Sequence, residues 1–205
     1  VSLRHAALAL LAAQPMTGYE LVRYFDDTVG LMWAASDSQI YPELRRMEAD
    51  GLIRAETIPR GERAEKRLYK ITPRGRARLR AWTGESLPYP PERDVHRLQI
   101  TYGEFTSLEN VRKHLNEHLD HYTWRRNQWV KLLETIRSEQ FPLMRARLDK
   151  SRPELRRRII AFKALALEGQ VAHADAEIAW ARRGLQLIDD LDRTEAAGTG
   201  PRDDS

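Results

Sequence analysis

The chain has 205 residues and a mass of 23.8 kDa, enough for one large domain or two small ones. Hydrophobic residues make up 41% and charged residues 31%, and 34 Lys and Arg nearly balance 30 Asp and Glu, which excludes a polyelectrolyte-like disordered chain. With no cysteine, disulfide frameworks, zinc fingers, iron–sulfur sites and thiol nucleophiles are excluded as well. No apolar run approaches the roughly 20 residues of a membrane span. The run Ala6–Ala13 has the look of a leader's apolar core, but helical pattern continues past it, so the chain reads as soluble and cytoplasmic.

Taken in order, Ser2 caps a first helix whose Leu3, Ala7, Leu10 and Leu11 share a face, and Pro15 limits it. Thr17 opens a second, with Glu20 completing a capping box and Leu21, Tyr24, Phe25 and Thr28 continuing its apolar stripe toward Gly30. A third helix starts from a cap at Ser36 or Ser38 and stops at Gly51 in a left-handed conformation. Its Ile40, Leu44 and Met47 face inward, while Ser38, Pro42, Arg45 and Arg46 lie opposite, with Gln39 and Tyr41 on the flanks. Proline is tolerated in a first helical turn, so Pro42 places the start near Ser38–Tyr41.

Leu52–Ile58 and Arg67–Ile71 read as strands joined by a turn at Pro59–Glu62, with Tyr69 and Ile71 on one face. Thr72 then caps a fourth helix, opened by Pro73 and running to about Trp82. Residues 1–82 hold 14 basic and 10 acidic side chains, whereas residues 83–205 hold 20 of each. Within Ile58–Arg80 nine basic residues stand against two acidic ones. Such a run suits a polyanion, since phosphate contacts supply most sequence-independent nucleic-acid affinity, although a solvated hairpin would look the same.

Gly84–Pro91, with three prolines, reads as a linker, and helical pattern dominates beyond it. A short helix near Asp94–Tyr102 precedes one of about 30 residues from a cap at Ser107 to before Phe141-Pro142. Its stripe is Leu108, Val111, Leu115, Leu119, Tyr122, Trp129, Leu133 and Ile136. In the last helix, from near Pro153, the positions Ile160, Ala164, Leu167, Val171, Ala174, Ile178, Ala181, Leu185 and Ile188 alternate steps of four and three, a packing seam. The seam suits either the other long helix of the same chain or a second chain. The second is favoured, because two long helices bury little alone, which makes Leu167, Val171, Ile178, Leu185 and Ile188 the expected dimer contacts. Expected, then, are a winged helix-turn-helix domain over 1–83, a linker over 84–93, a helical dimerisation domain over 94–193 and a disordered tail over 194–205.

The fold class is mainly α, with three helices and a two-stranded wing before an all-α second part. A helix fits the DNA major groove when its outward face offers hydrogen-bonding groups, as Ser38, Gln39, Tyr41 and Arg45 do. Ser36–Ser38 would anchor a phosphate at the helix start. Pro42 and Arg46 complete the expected contact face, and the wing adds Arg60, Arg63, Lys66 and Arg67.

Three segments also resemble the phenolic acid decarboxylase regulator (PadR-like) family of transcription factors. They are Pro15-Met16-Thr17-Gly18-Tyr19-Glu20-Leu21, the stretch Ser38-Gln39-Ile40-Tyr41-Pro42-Glu43-Leu44 on to Gly51-Leu52-Ile53, and Tyr69-Lys70-Ile71-Thr72-Pro73-Arg74-Gly75. The match covers about residues 5–82. The helical second half is similar to the long-tailed, virulence-activator-like members, with Trp180 where they often carry a tryptophan. The resemblance implies a homodimer on a two-fold-symmetric operator, commonly a repressor and often released by a small molecule. It further implies DNA contact through Tyr41 and the early residues of its helix, with the wing on the backbone and Gly18 and Tyr19 in structural roles. Physically, Gly18 permits close approach, and Tyr19 is expected to fill the core with its hydroxyl at the edge.

Other groupings have narrower readings. His114, His118 and His121 share one helix at spacings that suit a metal, a pH switch or simply a polar flank. Trp33, Trp82, Trp124, Trp129 and Trp180, with Tyr89, Tyr102, Phe105 and Phe162, suit either core packing or the walls of a small aromatic effector's pocket. Trp124 lies opposite its helix's stripe and needs a second surface. No phosphate loop, nucleophile elbow or metalloprotease motif is present, so an enzyme is not expected, nor a cofactor. A winged-helix adaptor that binds only protein is the alternative, and the basic hairpin argues against it.

Overall fold

The computed structural model describes residues 2–27, 36–59, 65–89, 91 and 93–198. The expectations for Thr28, Gly30, Trp33, the turn beyond Pro59 with Arg60, Arg63, and the tail from residue 199 therefore fall outside the described residues. The chain divides into two compact units, one of residues Val1–Pro88 with Leu132–Leu165, the other of Tyr89–Lys131 with Ala166–Ser205. No described helix is long and apolar enough to cross a membrane.

The first unit contains α1 (Ser2–Leu11), β1 (Met16–Thr17), α2 (Gly18–Asp27), α3 (Asp37–Ala49), β2 (Ile53–Pro59), β3 (Glu65–Ile71) and α4 (Pro73–Gly84). The strands form one antiparallel sheet in the order β1-β3-β2, with Ala55 opposite Tyr69 and Met16 on Tyr69's other side. Strand β1 was not expected, because two residues carry no periodicity. The helices supply Ala7, Leu8, Leu11, Leu21, Phe25, Ile40, Leu44 and Met47 to a core closed by Leu52, Ile53 and Tyr69 from the hairpin. The same unit holds α7 (Pro142–Asp149), which sequence pattern did not separate from its neighbours. Leu143 of α7 joins that core, and Lys150 Nζ donates to the Ala13 carbonyl at 2.8 Å.

Two local motifs hold this unit in shape. Gly51, at φ 68°, follows α3, with its N–H on the Glu48 carbonyl and the Leu52 N–H on that of Met47, each at 2.9 Å. This is the Schellman arrangement that a glycine makes available at low steric cost. Thr72 Oγ1 then donates to the carbonyls of Gly51 (2.7 Å) and Leu52 (3.0 Å) and accepts the Gly75 N–H at 3.1 Å. One hydroxyl thereby ties the end of α3, the start of the wing and the start of α4.

The second unit is built from α5 (Val95–Thr101), a 3-10 turn at Gly103–Phe105, and parts of α6 (Leu108–Arg137) and α8 (Pro153–Gly198). Val111 and Leu115 of α6 meet Ile188 of α8, flanked by Ile100, Leu108, Trp180 and Leu185. Gly184 makes this approach possible, since a Cβ there would sit 2.8 Å from Leu115 Cδ2. Leu167, Ile178 and Ile188 are only 3%, 7% and 4% exposed in a single chain, and Val171 and Leu185 are half-buried. Pairing within the chain thus accounts for the seam expected to meet a partner. Periodicity says that a face is covered and leaves open what covers it. Helix α8 also continues through Gly198, so residues 194–198, expected in a disordered tail, are helical; Glu195 and Ala196 favour that state.

Candidate nucleic-acid interface

The outward face of α3 begins at its cap. Ser36 is the cap residue, and Gln39 Oε1 accepts the Ser36 N–H at 3.1 Å while Ser36 Oγ lies 2.6 Å from Ser38 Oγ. Pro42 is the sixth residue of this helix, not part of its first turn as expected; the Ser38 carbonyl it cannot serve lies at an exposed position where solvent reaches it. Ser36, Ser38, Gln39, Arg45 and Arg46 are exposed, Tyr41 is 39% exposed, and Pro42 is half-buried. On the inner face Ile40, Leu44 and Met47 are each at most 1% exposed. The helix therefore turns its hydroxyl, amide and guanidinium groups outward and its aliphatic groups inward.

Tyr41 owes its position to Gly18, whose hypothetical Cβ would lie 2.6 Å from Tyr41 Cε1. The ring rests on the first residue of α2 at a place where only hydrogen fits. Tyr19, expected in the core, is 70% exposed instead, on the same helix start. Thr17 and Glu20 form the expected capping box there. Glu20 Oε2 accepts both the Thr17 N–H and Oγ1–H at 2.8 Å, bonds that hold its carboxyl below the usual range despite some burial.

The basic groups are not equivalent. Arg46 Nη1 binds Glu43 Oε2 at 3.0 Å, and the same carboxylate takes Arg4 Nε at 2.6 Å. Arg4 also reaches Asp50 at 2.8 Å. Arg67 Nη2 meets both oxygens of Glu48, at 2.8 and 2.7 Å. Lys70 of β3 meets Glu56 of β2 at 2.5 Å. Lys66 is exposed on β3, and Arg45 has no acidic partner among the described residues. Sequence reading passed over Glu43, which is 9% exposed; its spacing of three from Arg46 was the available signal.

The other groupings separate. His118 is buried and shares a 3.0 Å hydrogen bond with Glu177 Oε2, which also takes Arg97 at 2.8 Å; that guanidinium lies over Trp180. Burial alone would raise the Glu177 carboxyl, but the bonds from Arg97 and His118 outweigh it and hold it low. His114 sits instead on a groove of about 390 Å³ lined by Val95, Leu98, Gln99, Tyr102, Thr106 and Val111. Among the described residues no group of three or more His, Asp or Glu is placed to hold a metal ion. The aromatic residues do not share one wall. Trp82 stacks on His5 at 4.6 Å, Trp129 is buried beside Arg125, and Trp124, Phe162, Tyr89 and Phe105 are exposed.

Comparison with known proteins agrees with this geometry. Residues 7–81 match the "Transcriptional regulator PadR-like family". A probable transcriptional regulator of Mycobacterium tuberculosis, Rv1176c, is 43% identical over 87 residues, 42% of this chain and 46% of that protein. The negative transcriptional regulator PadR of Bacillus subtilis is 36% identical over 88 residues, 43% of this chain and 48% of that protein. The matched stretch thus spans about half the length of these relatives. Both the relatives and the family are regulators, not enzymes. Among solved structures, Bacillus subtilis PadR in complex with operator DNA superimposes with a TM-score of 0.69 at 23% identity, covering 92% of this chain and 99% of that one. The same protein with p-coumaric acid gives 0.66 at 23% identity, with 91% and 95% covered. The virulence activator AphA of Vibrio cholerae gives 0.61 at 24% identity, with 92% and 99% covered. These likenesses place the fold, winged helix and long C-terminal helices together.

Proposed function

We propose that this chain carries a PadR-like DNA-binding winged-helix domain of a transcriptional regulator and acts in the cytoplasm as a homodimeric repressor on an operator with two-fold symmetry. The observation that carries the reading is the outward face of α3, where Ser36, Ser38, Gln39, Tyr41, Arg45 and Arg46 are presented over a helix whose other side is core. Arg45 reads a base edge, Ser36 and Ser38 take a phosphate at the helix start, and Lys66 lies on the backbone, whereas Arg67 is held by Glu48 and the expected contacts of Arg60 and Arg63 fall outside the described residues. The sign of regulation follows the named negative regulator among the relatives. Arg45→Ala should lower the preference for operator over random duplex, while Lys66→Ala should weaken both alike and reduce the salt slope by about one. A preference unchanged in Arg45→Ala refutes base reading by that side chain, and a nuclease footprint without two-fold symmetry refutes the dimer on DNA.

The second chain meets side chains left outward on α8, since the inner stripe is already covered. In the second unit Leu187 and Leu191 are 58% and 40% exposed. Sedimentation of a Leu187→Glu/Leu191→Glu variant should show monomer, and a persisting dimer counts against this face. An aromatic effector is suggested by the neighbour solved with p-coumaric acid. Titrating that acid into the protein–operator complex should release DNA, and retention at millimolar acid removes this ligand class.

A further inference from the structure

Two carboxylates on α3, Glu43 and Glu48, take no part in the proposed DNA contacts yet each holds an arginine. Glu43 projects from the inner edge of α3, its side chain 12% exposed, and is clasped by Arg4 Nε at 2.6 Å and Arg46 Nη1 at 3.0 Å. Glu48, five residues on, receives Arg67 of β3 in two bonds at 2.8 and 2.7 Å. The partners remain open to solvent, with Arg46 67% and Arg67 52% exposed as side chains, so both guanidiniums lie on the outer surface while already paired.

Resting on the placement of α3 in the groove, we propose that Glu43 and Glu48 are positioning residues for operator specificity. They hold Arg46 and Arg67 in intramolecular pairs and leave Arg45 as the α3 guanidinium directed at the duplex. Sequence-independent affinity for DNA grows with every phosphate a cation neutralises, because each neutralised phosphate releases counterions. A guanidinium that must leave a carboxylate before it meets a phosphate gives up part of that gain on any duplex. Base-edge contacts by an unpaired side chain are not taxed in this way. The pairs therefore depress binding to random DNA more than binding to the operator, and specificity is the ratio of the two. The orientation of the pairs fits this role. Glu43 is fixed from behind by Arg4, which Asp50 holds in turn at 2.8 Å, so its carboxylate stays in place when Arg46 moves.

The test uses the full chain with Glu43→Gln and Glu48→Gln, each keeping shape and a hydrogen-bond acceptor while removing the charge. Binding is followed by fluorescence anisotropy from 50 to roughly 300 mM salt, on the tightest duplex that the unaltered chain selects from a randomised library and on a scrambled duplex. Each substitution should tighten the scrambled duplex about three- to tenfold, change the selected duplex less, and steepen the scrambled-duplex salt slope by about one. Adding Arg46→Ala to Glu43→Gln should restore the original slope. A purely structural role for Glu43 predicts weaker binding to both duplexes at unchanged slope, and that result, or no change in the ratio, overturns the proposal. Failure of the unaltered chain to select any duplex overturns the DNA reading itself, and this proposal with it.

Discussion

Substituting Gly18 by alanine probes the proposed reading face through a residue that packs against Tyr41. The new Cβ would lie 2.6 Å from Tyr41 Cε1, whereas carbon atoms rest at about 3.5–4.0 Å, so something must move by about 1 Å. The Tyr41 ring yields, because it is 39% exposed and its edge is the far end of a rotatable side chain. Displacing a rotamer costs about 0.5–1.5 kcal/mol, and alanine in place of glycine favours α2 by up to about 1 kcal/mol. The two nearly cancel, so the urea midpoint should barely change. A base-edge contact is worth about 1–3 kcal/mol, a factor of about 5 to 150 in affinity. Gly18→Ala should thus lose that factor on the operator and little on a random duplex, measured by anisotropy at one salt concentration. Equal losses on both duplexes, or an unchanged ratio, would refute the claim that the ring's position matters for reading.

Gly75→Ala meets a harder obstacle, since its Cβ would fall 2.1 Å from the Leu52 carbonyl oxygen, which is backbone. Its unfolding free energy should drop by about 3 kcal/mol or more, and a near-normal urea midpoint would show that the α4 start can shift. Thr72→Ala removes the helix cap and should cost about 1–2 kcal/mol, with Thr72→Ser recovering most of it on the same curve. Acid should weaken the second unit in two stages. Burial, with the charges of Arg125, His118 and His96, holds His121 below its ordinary value. A base depressed in the fold binds its proton more readily when unfolded, so this contribution is present above about pH 6.5 and lost as pH falls below it. The depressed Glu177 carboxyl contributes fully above about pH 4.3, and its share disappears as pH falls through the lower folded value. Thermal melts of His121→Gln should lack the first stage, and an identical pH profile would remove His121 from the account.

The reading head was legible where local chemistry fixes an outcome. Ser36, Gly51 and Thr72 set boundaries through hydrogen bonds within a few residues and Pro73 through its fixed φ, and the hairpin followed from the break between them. Strand β1 was invisible because its two residues gain their state only by pairing with Leu68 and Tyr69, far along the chain. Tyr19 was misplaced because a large aromatic side chain reads as core, yet it lies off the face of α2 that Leu21 and Phe25 turn inward. The seam of α8 shows the same limit at larger scale. A heptad states that a stripe is dry, and only three-dimensional packing reveals that a single chain already buries Leu167, Ile178 and Ile188, with Val111 and Leu115 against Ile188 at one end. The pairing of Arg46 and Arg67 lay beyond counting charges, because a tally along the chain gives each arginine equal weight while distance does not.

The hydroxyl of Thr72 has a mechanical corollary. By bridging the carbonyls of Gly51 and Leu52 and the amide that opens α4, it rivets the tail of the probe, the root of the finger and the following helix to one another. A tug on α4 is therefore felt at the end of α3.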